Sequence, residues 1–168
     1  IRRPVRRKEF WALEGININI PRGQAVGIIG KNGSGKTTLL KLLCRVTRPT
    51  RGRVNVAGRV AALLELGAGF HGDLTGRENI YLNGAILGIS RRELDKNMDS
   101  LIDFADIGDF IDAAVKVYSA GMYLRLGFAI AAYSRAEVLL IDEVLAVGDA
   151  GFQKKCLDRI EAFKKEGR

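Results

Sequence analysis

The chain reads as an α/β domain, and three observations lead there. Apolar segments of strand length alternate with segments of helical periodicity along the 168 residues. A glycine-rich loop joins a continuously apolar run to an apolar helix near residue 30. A helical stretch, about 75–117, is inserted between two candidate core strands. The length suits one domain with a sizeable core. A hydrophobic share of 47% with 27% charged residues excludes disordered and collagen-like architectures.

Taken in order, residues 1–9 carry Arg2, Arg3, Arg6, Arg7 and Lys8 around Pro4, a solvated basic arm. Leu13–Ile20 alternates, with Ile16, Ile18 and Ile20 on one face and Asn17 and Asn19 on the other. That pattern predicts a half-buried strand, closed by a turn at Pro21-Arg22-Gly23. Ala25–Ile29 is apolar throughout, as in a central strand covered on both faces. Arg53–Leu66 reads as two short strands around Ala57-Gly58. Thr75 with Glu78, and Ser90 with Glu93, are capping-box pairs that start helices. Leu94, Met98, Leu101, Ile102 and Ala105 then form a helical stripe, and Ser119 caps a helix running to about Tyr133. Val138–Ile141 reads as a fully buried strand. A last helix gathers Phe152, Cys156, Ile160 and Phe163 on one face.

The loop is Gly30-Lys-Asn-Gly-Ser-Gly-Lys36-Thr37, which satisfies G-x-x-x-x-G-K-[ST] between an apolar run and a helix. Glycines there let successive backbone N–H groups converge on phosphate oxygens, and the helix adds its positive end. Gly30, Asn32, Gly33, Ser34, Gly35, Lys36, Thr37 and Thr38 are the candidate triphosphate contacts. Lys36 would reach the β- and γ-phosphates, and the Thr37 hydroxyl would bind Mg²⁺. Val138-Leu-Leu-Ile-Asp142-Glu143 supplies the complement. Asp142, ending an apolar strand, would hold the same Mg²⁺, and Glu143 would orient and deprotonate an attacking water. Catalysis is therefore expected from Glu143 and Lys36.

Charge and cysteines bound the alternatives. Lysine and arginine number 27 against 19 acids, a net +8 that invites polyanionic partners: nucleic acid, anionic lipid or a nucleotide. Cys44 and Cys156 match no metal or redox spacing and read as small core residues of a reduced protein. No apolar run approaches the roughly 18 residues of a spanning helix. Lys96-Asn-Met-Asp99 has the wrong order for guanine recognition. No zinc finger, homeodomain or RNA-binding signature accompanies the basic arm, so no nucleic-acid partner is expected. The chain begins at Ile1 without methionine and stops in a charged helical run, so it is expected to be a piece of a longer protein.

Tyr118-Ser119-Ala120-Gly121-Met122 stands before Asp142-Glu143 where the Leu-Ser-Gly-Gly-Gln signature stands in ABC-type ATPases, and Arg125 falls where that signature is followed by arginine. The chain thus resembles an ABC transporter ATP-binding subunit. Several phrases are similar to the ATPases that export bacterial polysaccharides (O-antigen, capsule, teichoic acid). These are Phe10-Trp-Ala-Leu13, Leu63-Leu-Glu-Leu-Gly-Ala-Gly-Phe-His71, Leu74-Thr-Gly-Arg-Glu-Asn-Ile80, and Asp142 to Asp149 with Phe152-Gln-Lys-Lys-Cys156.

The resemblance implies a P-loop NTPase fold with a mostly parallel core sheet and an antiparallel β subdomain. A helical subdomain, 75–117, would be inserted between core segments 10–74 and 118–168, with both ends cut. It implies ATP and Mg²⁺ as cofactors and a head-to-tail dimer, in which Ser119 and Gly121 contact the γ-phosphate across the interface. Asp149 holds the D-loop position, and Glu65 stands nearest the place of a Mg²⁺-sensing glutamine. A separate membrane-spanning permease is the implied partner, at the cytoplasmic face of the bacterial inner membrane. The family's γ-phosphate histidine would fall beyond Arg168 and its adenine-stacking aromatic before Ile1. Phe10 or Trp11 could stand in for that aromatic, but both are expected instead to pack the core under the first strands, and His71 is expected to be a non-ligand. Weak or absent hydrolysis is expected of residues 1–168 alone. An ABC-type ATPase acting on DNA, or a non-hydrolysing nucleotide sensor, remains the alternative.

Overall fold

The structure is a computed structural model that describes residues 9–63, 69–141 and 149–167. The basic arm, Glu65, Asp142 and Glu143 lie outside the described residues. In chain order the elements are α1 (Lys36–Leu43), β1 (Val60–Leu63), α2 (Gly76–Ile86), α3 (Arg91–Ala105), α4 (Ala120–Ala132), β2 (Val138–Ile141) and α5 (Ala150–Lys165). Two short 3-10 turns, Gly108–Asp112 and Val115–Val117, link α3 to α4.

Local signals set the helix starts. The Glu78 amide donates to Thr75 Oγ1 at 3.2 Å, and the Thr75 amide donates to Glu78 Oε2 at 2.8 Å. Ser90 and Glu93 repeat the exchange at 3.3 and 3.2 Å. Each box satisfies two backbone donors that a helix start otherwise leaves without partners. Both predicted boxes are present, as is the Ser119 cap of α4.

α4 is the centre of the packing. Leu126–Ala132 are all buried, as expected of a helix apolar on every side. Leu126, Ala129 and Ile130 meet Ile80 of α2, Leu94, Met98 and Leu101 of α3, and Ile111 and Val115 of the connecting turns. Phe128, Ala131 and Ala132 face the other way, onto Phe152 and Cys156 of α5. The predicted stripes of α3 and α5 are the faces used, and Cys156 is buried while Cys44 is only half-buried. Arg159 of α5 donates to Ala132 O at 2.9 and 3.1 Å, which fastens the C-terminal end of α4.

One side chain organises the entry to α2. Asn79 is fully enclosed; its Oδ1 accepts from the His71 amide at 2.8 Å, and its Nδ2 donates to the carbonyls of His71, Leu74 and Thr75 at 2.9–3.1 Å. The same loop is clamped to the segment before α4, because Val115 N donates to Leu74 O and Lys116 N to Gly72 O, both at 2.9 Å. The start of α2 and the approach to α4 are thus one hydrogen-bonded unit.

The sheet among the described residues is one parallel pair, β1 beside β2, in register from Val60↔Val138 to Leu63↔Ile141. The α/β class and the parallel pairing agree with the sequence reading, but individual strands do not. Leu13–Ile20 and Ala25–Ile29 take no ladder partner, and their apolar side chains after half-buried Leu13 are exposed, Ile29 to 98%. Arg53–Leu66 contributes only Val60–Leu63, and Val138–Ile141 is half-buried where full burial was expected. Among the described residues no antiparallel ladder forms; the antiparallel pairing is a single bridge, Thr75↔Ala114. The physical reason is non-local. A strand needs ladder partners at its edges and layers on its faces, and an apolar run cannot supply them by itself. No helix among the described residues is long and apolar enough to cross a membrane.

Candidate functional site

Two groups of candidate residues take shape on different elements. The first is the glycine loop before α1. Gly33 and Gly35 have φ of 81° and 91°, the left-handed region where a side chain is strained. Gly35 is the N-cap of α1, and a Cβ there would meet Leu13 Cδ2 at 2.7 Å and Ala12 O at 2.8 Å. Only glycine therefore lets the loop turn while lying against the 12–13 backbone. The Ser34 amide donates to Lys31 O at 3.1 Å, drawing the loop into a tight turn. Lys36 folds back over it, and Nζ donates to Gly30 O at 2.8 Å and Lys31 O at 3.0 Å.

The ammonium is thus held at the mouth of the loop, with Thr37 and Thr38 exposed beside it on the first turn of α1. No acid occupies that turn, so the positive end of the helix is not neutralised locally. Left-handed glycines, a helix N-terminus and an ammonium held over the loop make a set of groups that fits phosphate oxygens. Thr37, the predicted Mg²⁺ ligand, presents its hydroxyl on that exposed turn. Its predicted co-ligand Asp142 lies outside the described residues, and among those described no group of three His, Cys, Asp or Glu residues could hold a metal.

The second group surrounds the N-terminus of α4. Ser119 Oγ accepts from the Met122 amide at 3.2 Å, with Ser119 and Ala120 exposed and no acid in the first turn. Tyr118 sets this end in place, its hydroxyl donating to Phe110 O at 2.6 Å while burial pushes the phenol upward. A Cβ on Gly76 would run into that hydroxyl, which explains the glycine at the start of α2. Arg125, further along α4, pairs with the Asp149 carboxylate at the start of α5 and donates to Asp106 O at 2.9 Å. Asp149 caps α5 by accepting from the Phe152 amide at 2.9 Å. That amide first, and Arg125 second, hold its carboxyl below the usual range.

The structure sets Ser119 and Gly121 at the start of α4 and pairs Arg125, further along the same helix, with Asp149, and it gathers Gly30 to Thr38 separately. The hydrogen bonds described keep to one group or the other. Glu65, Asp142 and Glu143 follow β1 and β2, whose paired ends Leu63 and Ile141 stand side by side. Phe10 and Trp11 require a correction: they are 84% and 50% exposed, so they are not core packing. Arg51 stacks 5.1 Å from the Trp11 ring centroid. Asp106 was not singled out by sequence. The signal for it was present, an aspartate ending the α3 stripe before apolar Ile107, a left-handed helix end.

Residues 13–146 match the profile of the ABC transporter family. The chain is 54% identical over 157 residues to the O-antigen export system ATP-binding protein RfbB of Myxococcus xanthus, covering 94% of this chain and 36% of that protein. It is 47% identical over 159 residues to the teichoic acids export ATP-binding protein TagH of Lactiplantibacillus plantarum, covering 95% and 44%. It thus spans less than half the length of either relative. Among solved structures, a dimeric ATP-binding cassette in a post-hydrolysis state bound to ADP and Pi superposes with a TM-score of 0.79. That match has 22% identity and covers 93% of this chain and 76% of that one, a likeness of fold. A glycine loop before α1, a capped helix at Ser119, a parallel β1–β2 pair and a family profile over most of the length agree: the chain belongs to the ABC transporter family.

Proposed function

We propose that the chain is the nucleotide-binding core of an ATP-hydrolysing subunit that drives export of a polysaccharide or glycolipid across the bacterial inner membrane. The observation that carries this is the loop at Gly30–Thr37, where two left-handed glycines, the start of α1 and the Lys36 ammonium converge. The names of the O-antigen and teichoic acid relatives support the class of cargo.

In this reading Gly30, Asn32, Gly33, Ser34, Gly35, Lys36, Thr37 and Thr38 hold the triphosphate of ATP. Thr37 and Asp142 hold Mg²⁺, which neutralises phosphate charge when bound. Glu143 takes the proton of the attacking water, and Glu65 senses the same site. Ser119 and Gly121 offer the positive end of α4 to the γ-phosphate held by a second copy arranged head to tail; the matched cassette, described as dimeric, supports a second copy. Asp149 lies at that interface. The helical part, 75–117, transmits closure to a separate permease, and the subunit sits peripherally on the cytoplasmic face.

The test uses the full-length subunit. Trp11 is the one tryptophan of these 168 residues and adjoins Ala12, whose carbonyl lies against Gly35; with every tryptophan elsewhere in the subunit replaced by phenylalanine, its emission reports on the loop. ATP should shift that emission saturably, and Glu143→Gln should keep the shift while multiple turnover stops. A Glu143→Gln variant that hydrolyses normally removes Glu143 from the reaction. ATPase activity that rises with DNA, with no permease copurifying, overturns the export reading.

A further inference from the structure

We propose that Arg125 is a positioning residue for turnover: its guanidinium clasps Asp149 to α4 and to the end of α3, so that the three shift as one body. The inference rests on the roles given above to Ser119 and Asp149.

The geometry is specific to a planar fork. From α4, Nη2 donates to the Asp149 carboxylate, while Nη1 donates to Asp106 O at 2.9 Å and Asp106 Oδ2 at 3.3 Å. The guanidinium carbon lies 5.3 Å from the Phe152 ring centroid, and the side chain is only 21% exposed. An exposed two-partner ion pair holds little. Here one rigid donor set is divided among α3, α4 and α5 over an aromatic face, an arrangement a lysine cannot reproduce.

Both partners are positioned to receive it. Asp106 is left-handed, with φ 52° and ψ 50°, a conformation aspartate tolerates better than most residues. Its carboxylate also lies 3.6 Å from Lys155 Nζ, so α5 reaches the same anchor a second time. Asp149 gives one oxygen to the cap of α5 and the other to Arg125, so a pull on the guanidinium is a pull on the start of α5. Beneath lie Phe104 of α3, Phe128 of α4 and Phe152 of α5, with mutual ring-centroid distances of 5.9–6.1 Å. A displacement of α4 at its Ser119 end therefore reaches Asp149 with little slack.

The test is steady-state ATP hydrolysis by the full-length subunit assembled with its permease. Arg125→Ala should lower kcat about tenfold with KM for ATP within about twofold, the mark of an interaction that matters after binding. Arg125→Lys keeps the charge and should still lose about fivefold. Asp149→Asn should match these, and the double variant Arg125→Ala/Asp149→Asn should be no worse than either alone. Arg22→Ala, which breaks a surface pair with Glu137 at 3.1 Å, should leave kcat unchanged.

If Ser119→Ala is impaired while Arg125→Ala turns over like wild type, the clasp is overturned and the site reading stands. If Ser119→Ala is unimpaired, both fall together. Should Arg125→Ala fail to fold, Arg125→Lys and Asp149→Asn decide, provided their melting temperatures match wild type. Full activity in both, or losses that add in their double variant, overturns the clasp.

Discussion

Ala25–Ile29 and Leu126–Ala132 are both unbroken apolar runs, yet the first lies in solvent and the second is enclosed. Apolarity favours burial in both. The difference is in how each segment satisfies its backbone. A helix closes its own hydrogen bonds and can be surrounded by any apolar side chains that fit. An extended segment needs another strand at a set register before its faces can be covered. Stability in this molecule is thus concentrated around α4, away from the loop before α1 where we propose that phosphate binds.

That contrast can be broken or sharpened by five measurements, in order of expected effect. Leu126→Ala empties a fully enclosed site and should cost about 3–4 kcal/mol in denaturant unfolding. A cost below about 1 kcal/mol would mean that α4 is not the centre of the core. Lys36→Ala should weaken ATP binding about 100-fold, roughly 3 kcal/mol, with unfolding unchanged, because Nζ bonds only its own loop among the contacts described. Calorimetric titration beside a melting curve separates the two. Ser90→Ala removes the capping box of α3 and should cost about 1 kcal/mol.

Acid should act through the same boxes. The Ser90 and Thr75 amides, the largest cause at each site, hold the carboxyls of Glu93 and Glu78 below their usual range. A depressed carboxyl stabilises the fold above its unfolded value, about pH 4.3, and that stability is lost as pH falls through the folded value. Melting temperatures between about pH 5 and about pH 2.5, on either side of that value, should fall more steeply in wild type than in Glu93→Gln. An equal slope would remove the capping carboxylates from the explanation. At the other extreme, Ile29→Ala should change stability by no more than about 0.5 kcal/mol, since its side chain is almost wholly exposed.

How much was legible follows from the same contrast. The capping boxes, the α3 and α5 stripes and the Ser119 cap are local patterns read over four to fifteen residues, about the span of one helix, and each stands where the pattern placed it. The glycine loop was equally legible, because its spacing encodes the backbone that phosphate oxygens require. The strands at Leu13–Ile20 and Ala25–Ile29 were misjudged because a period-2 or apolar run states a preference for cover without naming what provides it. Phe10 and Trp11 failed for the same reason. Asp106 was overlooked because its importance comes from the Arg125 guanidinium brought to it through tertiary packing.

Asn79 carries a consequence for dynamics. One enclosed side chain occupies the amide and carbonyl of His71 and the carbonyls of Leu74 and Thr75, so residues 71–75 have the backbone pairing of regular structure without being regular. Opening the His71 amide to solvent requires dislodging a residue of α2 from the core, so its deuterium exchange should be slow and should track the exchange of the helix itself.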